Sequence, residues 1–282
     1  MKDTEDTKEQ TWERRGNSFG SAAETYDRTR PDYPPEAVQW ILGDRPRSVI
    51  DLGAGTGILT RRLIACGHDA VAVEPDDGMR ARLAESTPGA TVLAGRAESI
   101  PIADLSVDAV LVGHAYHWFA PEPAHAEIAR VLRPGGVLAA LWNLRDEDVP
   151  WSAELSGILG DEDSGVDRDT AAAVMLHGAL AAMRGDGTGL SGWLRNPSFG
   201  NDFGAIERGF FANSTEHTVD TLIDLVRSRS YYLTATPERR EELENRLRHL
   251  AATHPDLAGR ETFTLPYITV VFRAIRRAPT ER

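Results

Sequence analysis

The chain has 282 residues, 41% of them hydrophobic and 26% charged, and its 31 basic against 43 acidic side chains give a formal charge of -12. That length folds without staples, and the acidic balance opposes attraction to a phosphate backbone, so a small molecule rather than nucleic acid is the expected partner. Residues Met1 to Gln10 lack the apolar core of a secretory signal, no stretch approaches the roughly 20 apolar residues of a membrane span, and the lone Cys66, in the apolar run Leu63-Ile64-Ala65, reads as a buried small hydrophobe in a reducing, cytoplasmic protein.

In chain order, residues 1 to 18 read as a frayed tail. Phe19 to Pro35 is a short helical piece running into a turn stiffened by Pro31, Pro34 and Pro35. Glu36 to Leu42 has one apolar helical face, and Ser48 to Leu52 is the first strand. After it, Gly53-Ala54-Gly55-Thr56-Gly57 forms a tight turn into the helix Ile58 to Cys66, which Gly67 ends. His68 falls in the following loop and is expected to be solvated. Asp69 to Glu74 is the second strand, Asp76 caps a helix over Asp77 to Glu85, and Ala90 to Ala94 is the third strand. Val107 to Gly113 is the fourth, Pro121 to Leu132 a helix, and Arg133-Pro134-Gly135-Gly136 turns into a fifth strand over Val137 to Trp142.

Strands alternating with helices, each strand apolar on both faces, predict a doubly wound α/β fold: a mostly parallel seven-stranded sheet covered on both sides. The core spans residues 19 to 143. Residues 144 to 205 read as a helical insertion or cap, with pieces at Trp151 to Leu159 and Thr170 to Met183, and 206 to 282 return to the core. There Ala205 to Phe211 restarts a strand, Val219 to Tyr232 and Pro237 to Thr253 are helices, and Glu261 to Ile275 is a last strand, giving antiparallel strands at the sheet edge. Ligands collect beyond the carboxyl ends of such strands, so the glycine loop, Glu74, Arg96-Ala97-Glu98 and His114 to Phe119 should converge on one crevice.

Asp51 to Gly57 departs from the dinucleotide fingerprint, because its third glycine comes one residue early and Ile58 stands where that fingerprint has glycine. Glu74, about 20 residues past the loop, is placed to accept hydrogen bonds from both hydroxyls of an adenosine ribose. On these residues the sequence resembles the class I S-adenosylmethionine-dependent methyltransferases, with a Rossmann-like fold. Leu132 to Gly136 matches the turn before their fifth strand. More narrowly, Phe19 to Pro35, Ala115-Tyr116-His117-Trp118-Phe119 and Leu265-Pro266-Tyr267 look like the ubiquinone-biosynthesis and trans-aconitate methyltransferase-like group, which takes small acceptors.

The resemblance implies S-adenosylmethionine as cofactor and S-adenosylhomocysteine as product. It sets the backbone of Gly53, Ala54, Gly55 and Gly57 against the methionine moiety, Glu74 on the ribose, and Ala97 and Glu98 at the adenine, with Asp51 also among the cofactor-binding residues. Many relatives have an aspartate where Arg96 stands. Pro75 and Met79 are candidates to pack on the adenine, Met79 equally a plain core residue. Tyr26, Arg30 and Tyr33 suit a lid gripping the methionine carboxylate, against the alternative of a surface turn. His114 and His117 are candidate bases beside the methyl group, with cofactor contact or a structural role as the alternatives. Tyr33, His117, Trp118, Arg229 and Tyr232 are the acceptor-side candidates. The expected reaction is methylation of a small acceptor, a carboxylate or phenol of a secondary metabolite; a non-methylating relative such as a cyclase and a non-enzymatic adaptor are the alternatives. Neither a metal site nor a hydrolase nucleophile is expected.

Overall fold

The computed structural model describes residues 23–159 and 198–278. The expected tail over 1 to 18, Phe19 to Ala22, and the helical piece Thr170 to Met183 lie outside the described residues. Helix α1 (Ala23–Thr29) and the proline turn lead to α2 (Pro35–Leu42), β1 (Ser48–Leu52), α3 (Ile58–Ala65), β2 (Asp69–Glu74), α4 (Asp77–Ser86), β3 (Thr91–Ala94) and β4 (Val107–Gly113). A 3-10 turn, Tyr116–Trp118, precedes α5 (Pro121–Val131), β5 (Leu132–Arg145) and α6 (Pro150–Leu159). Then come β6 (Glu207–His217), α7 (Val219–Arg227), α8 (Ser230–Leu233), α9 (Pro237–Thr253) and β7 (Phe263–Ile275).

The seven strands form one sheet in the order β3-β2-β1-β4-β5-β7-β6. The expected antiparallel edge is corrected in one respect. Strand β7 alone opposes its neighbours: it is antiparallel to both β5 and β6, so the outermost strand β6 runs in the same direction as β5. Strand β5 also starts earlier than its apolar run, because Leu132 pairs with Val107 before Arg133 to Gly136 bulge outward with Gly135 at φ 78°.

Alternation of side chains places two cores on the sheet's faces. Ile50, Leu52, Val110, Val112, Leu138 and Trp142 pack with Ile128 and Val131 of α5. Their neighbours Val49, Ala109, Leu111 and Leu141 pack with Val38 and Ile41 of α2 and Leu63 of α3. A third core gathers Trp151 and Leu155 of α6, Leu222 and Val226 of α7, Leu247 of α9, and Phe263, Leu265 and Tyr267 at the start of β7. Because Tyr267 is paired with Arg145, this helical layer stands at the carboxyl end of β5, beside the ligand edge. The helices between β6 and β7 thus form one layer with α6, the described helix of the residues 144 to 205 read in sequence as an insertion or cap.

Two local expectations change. His68 is buried rather than solvated: Gly67, at φ 85°, ends α3, the His68 N–H bonds the Leu63 carbonyl at 3.0 Å, and burial lowers the imidazole pKa. Cys66 is half-buried at the margin of the α2–α3 core, with burial raising its thiol pKa. No described helix is long and apolar enough to cross a membrane.

Candidate active site

The three loop glycines take left-handed angles, at φ 70° for Gly53, 56° for Gly55 and 88° for Gly57. The N–H groups of Gly53 and Ala54 both bond the Val73 carbonyl, at 2.8 and 3.2 Å, which binds the loop to β2. A Cβ at Gly53 would stand 2.6 Å from that of Ala115, and one at Gly57 would stand 2.8 Å from Leu83 Cγ, so both positions are closed by protein. A Cβ at Gly55 would meet nothing within 4 Å: this glycine opens the backbone to whatever lies above it.

Two acids flank that opening. Glu74 Oε2 accepts the Gly55 N–H at 2.8 Å and Oε1 the Asp76 N–H at 2.9 Å, leaving each oxygen a further lone pair. Burial raises the Glu74 pKa against the lowering effect of those two bonds. Asp51 is buried at the end of β1; its Oδ2 accepts the Thr60 hydroxyl at 2.6 Å, while Oδ1 is buried with no hydrogen-bond partner. Burial pushes the Asp51 pKa up to about 7, opposed by the Thr60 hydroxyl and reinforced by the charge on Glu74. An orphaned carboxylate oxygen beside an open glycine and a ribose-competent acid fits an adenosine-bearing cation such as S-adenosylmethionine.

Helix α1 and the proline turn close over this loop. Asp27 Oδ1 accepts from Thr56 Oγ1 at 3.0 Å and Arg61 Nη2 at 2.5 Å, and its Oδ2 accepts from Arg82 Nη2 at 3.2 Å. Arg28 pairs with Asp224 at 2.8 Å, so α1 bridges the glycine loop and α7. The Arg30 guanidinium lies 4.5 Å over the Tyr26 ring. Tyr33 is buried, and its hydroxyl stands 2.5 Å from where a Gly113 Cβ would be, so Gly113 makes room for it. Burial, with nearby Tyr26, Asp51 and Asp32, holds the Tyr33 phenol well above its ordinary pKa.

The turn itself is pinned from three strands. Asn143 Nδ2 on β5 donates to the carbonyls of Pro31 and Asp32, both at 3.2 Å, and Asn213 Nδ2 on β6 donates to Asp32 O at 2.6 Å. The hydroxyl of Thr269 on β7 donates to Asn143 Oδ1 at 2.5 Å. Asp27, Asn143, Asn213 and Thr269 are the residues that sequence reasoning missed. The signal in the chain is a polar residue next to an apolar run, Asn143 after Leu138 to Trp142 and Thr269 between Ile268 and Val270.

Beyond β4, His114 takes φ 54°, and its Nε2 accepts the Asn143 N–H at 2.8 Å, so that lone pair serves the backbone instead of a substrate proton. His117 has a buried Nδ1 without a hydrogen-bond partner, and burial lowers its pKa to about 4. Its ring centroid is 5.0 Å from that of half-buried Trp118. Ala115 and Phe119 lie against the glycine loop at Gly53. Ala97 is in the core, and Glu98 Oε1 accepts the Ala120 N–H at 2.8 Å, which commits one oxygen to the start of α5. Met79 is buried; Pro75 is exposed, with its carbonyl accepting from Arg80 at 2.6 Å.

Two acceptor-side candidates lie in the helical layer, which Arg28 and Asp224 join to α1. Tyr232 belongs to the helical layer, where its hydroxyl donates to Glu244 Oε1 at 2.6 Å and the Arg240 guanidinium lies 5.4 Å from its ring. Arg229 is half-buried in the turn between α7 and α8. Among the described residues, no group of histidine, cysteine and acidic side chains could hold a metal ion.

The sheet order, the open glycine after β1 and the buried acid at the end of β2 are those of a class I S-adenosylmethionine-dependent methyltransferase. The methyltransferase domain family model matches residues 50–140. Over 258 residues the chain is 44% identical to an uncharacterized methyltransferase of Mycobacterium tuberculosis, a match covering 91% of this chain and 95% of that one. The chain belongs to this methyltransferase family. A malonyl-[acyl-carrier protein] O-methyltransferase of Methylococcus capsulatus is 38% identical over 145 residues, 48% of this chain and 52% of its own length. The fold is shared with a solved, provisionally assigned type II methyltransferase from Anaeromyxobacter dehalogenans, at TM-score 0.53 and 21% identity over 88% of this chain and 96% of that one.

Proposed function

We propose that this methyltransferase acts on the carboxylate of a small organic acid, forming a methyl ester. The observation that carries the reading is the scarcity, among the described residues, of a base beside the end of β4. The His114 Nε2 lone pair is taken by the Asn143 N–H, the His117 imidazole is neutral and weakly basic with a pKa of about 4, and the Tyr33 phenol is held protonated. A phenol must lose a proton to react, whereas a carboxylate is already a nucleophile at neutral pH. The O-methyl transfer to a malonyl group named for the Methylococcus relative is of the same kind.

Bound S-adenosylmethionine supplies a sulfonium methyl group, open to in-line displacement by the acceptor oxygen. In this reading the chain's residues bind and align. Asp51 Oδ1 would accept from the cofactor's ammonium, Glu74 would accept from the ribose hydroxyls, and Arg30 with Tyr26 and Tyr33 would enclose the methionine end beneath α1. Neutral His117 gives the acceptor a hydrogen-bond partner, Trp118 a wall, and Arg229 a countercharge on the side of the helical layer. Family membership supports methyl transfer over the adaptor and cyclase alternatives.

Labelled S-adenosylmethionine with a panel of small carboxylic acids and phenols tests the reading. At saturating S-adenosylmethionine, ester formation should be flat with pH above the acceptor's own pKa, and His117→Ala should lower the rate without changing that profile. Preferential methylation of phenols, with a rate rising through neutral pH and lost in His117→Ala, would overturn it.

A further inference from the structure

We propose that the outer edge of β6 is a self-pairing surface, and that two copies of this chain associate there about a two-fold axis at Ala212, joining two seven-stranded sheets into one. Pro266 reveals which groups face that edge. Its carbonyl accepts the Asp146 N–H at 3.0 Å on the β5 side. In a strand, a residue's N–H and C=O point to the same neighbour, and successive residues alternate. Even-numbered residues of β7 therefore face β5, as does Arg276 beyond it, which donates to the Gly136 carbonyl at 2.8 Å. Odd-numbered residues face β6, as Ile275 does in accepting from Gly204 at 2.9 Å. The register Asn213↔Tyr267 and Phe211↔Thr269 then assigns the β6–β7 ladder to the odd residues of β6. The N–H and C=O groups of Arg208, Phe210, Ala212, Ser214 and Glu216 point away from β7, and of these the Ser214 N–H is held by the neighbouring Asn213 Oδ1 at 2.8 Å in the single chain.

No described strand pairs with that edge. Edge strands are commonly blunted by proline, lysine or a bulge. Strand β6 has 11 residues with neither residue type, and its register with β7 runs unshifted from Glu207 to His217. An antiparallel register centred on Ala212 sets Arg208 opposite Glu216 and Phe210 opposite Ser214 of the second copy, all with outward-facing backbone groups, and Glu207 opposite His217. Two-fold symmetry repeats each pairing on the other side of the axis. Moving the centre to Phe210 keeps the hydrogen-bonding phase but puts Arg208 opposite Ala212, and moving it to Ser214 carries Arg208 past the end of the strand. Only the centre at Ala212 joins phase with charge. It also lays Phe210, an exposed large apolar residue, diagonally beside Ala212 of the second copy.

Sedimentation equilibrium of the full chain at near-physiological salt tests this. The expected result is a reversible dimer of the 30.9 kDa chain. Ala212→Pro removes an N–H that faces away from the β6–β7 ladder, so folding and cofactor binding persist. It removes both bonds at the axis and should weaken dimerisation about thirtyfold. Arg208→Glu should also weaken it, and adding Glu216→Arg should restore it. A chain that stays monomeric at about 100 μM, far above the Kd of a specific interface, or a dimer indifferent to Ala212→Pro and to charge reversal, overturns the proposal.

Discussion

Replacing Asp27 with asparagine is expected to weaken cofactor binding about ten- to thirtyfold with little change in kcat. The carboxylate side chain is 9% exposed and holds Arg61 and Arg82, which are 32% and 31% exposed, together with Thr56 of the glycine loop. Breaking a fully buried ion pair costs about 3–5 kcal/mol and an exposed one about 0–1 kcal/mol. With the arginines a third open to water, about 2 kcal/mol is the appropriate scale. Asparagine keeps the volume and one acceptor but leaves two guanidinium groups without their counterion, so the loss falls on the docking of α1 over the loop. About 2 kcal/mol corresponds to roughly thirtyfold in an equilibrium constant; α1 is also held through Arg28 and Asp224, so the lower end is included. Calorimetry with S-adenosylhomocysteine gives Kd directly, and stopped-flow dissociation should place most of the change in the off-rate. A Kd within twofold of wild type would refute the view that α1 is latched to the loop through Asp27.

Further expectations concern the loop. Gly55→Ala should fold, at a cost of about 1 kcal/mol for its left-handed angle, yet lose cofactor affinity, because its Cβ enters open space. Gly53→Ala and Gly57→Ala should lower Tm by considerably more, since their Cβ atoms meet Ala115 and Leu83; equal Tm values for the three variants would contradict this reading of the glycines. Asp51 predicts a pH dependence. Its folded pKa of about 7 lies above the ordinary 3.8, so the folded state retains a proton that the unfolded chain releases. Stability should therefore fall as pH rises between about 4 and 7, by up to on the order of 4 kcal/mol, and level off above. A bound ammonium favours the ionised carboxylate, so S-adenosylhomocysteine should bind more tightly as pH rises toward 7.5 and release a proton below pH 7. Calorimetry in buffers of different ionisation heats checks this, and Asp51→Asn should abolish the release.

Much of the fold was legible in the chain because its signals are local. The apolar run Ser48 to Leu52, the acid-ended Asp69 to Glu74 and the run Val107 to Gly113 coincide with β1, β2 and β4, and Asp76 caps α4 by accepting the Met79 N–H at 2.8 Å. Gly53, Gly55 and Gly57 announced left-handed angles by their identity, but which of them faces open space depends on Ala115 and Leu83, distant in sequence. The latch at Asp27 was not legible, since its partners lie 29, 34 and 55 residues away on three different elements. Tyr232 had the right residue type for an acceptor wall, but Glu244, one face of α9 away, holds its hydroxyl. His117 reads in sequence as a titrating base; burial, a tertiary property, makes it a neutral one.

The pins on the proline turn also order events in time. Asp32, near the start of the described chain, is held by Asn213, 181 residues later, and Asn143, which also holds it, is bound by Thr269, 126 residues after Asn143. Contacts of such separation form late, after local helices and neighbouring strands are in place. During synthesis, the half of the sheet bearing the glycine loop and Glu74 emerges long before the strands that hold the turn. The loop can therefore be built while its cover is still unfastened, and only the emergence and docking of β7 completes the enclosure. Cofactor retention thereby becomes a report on the final strand.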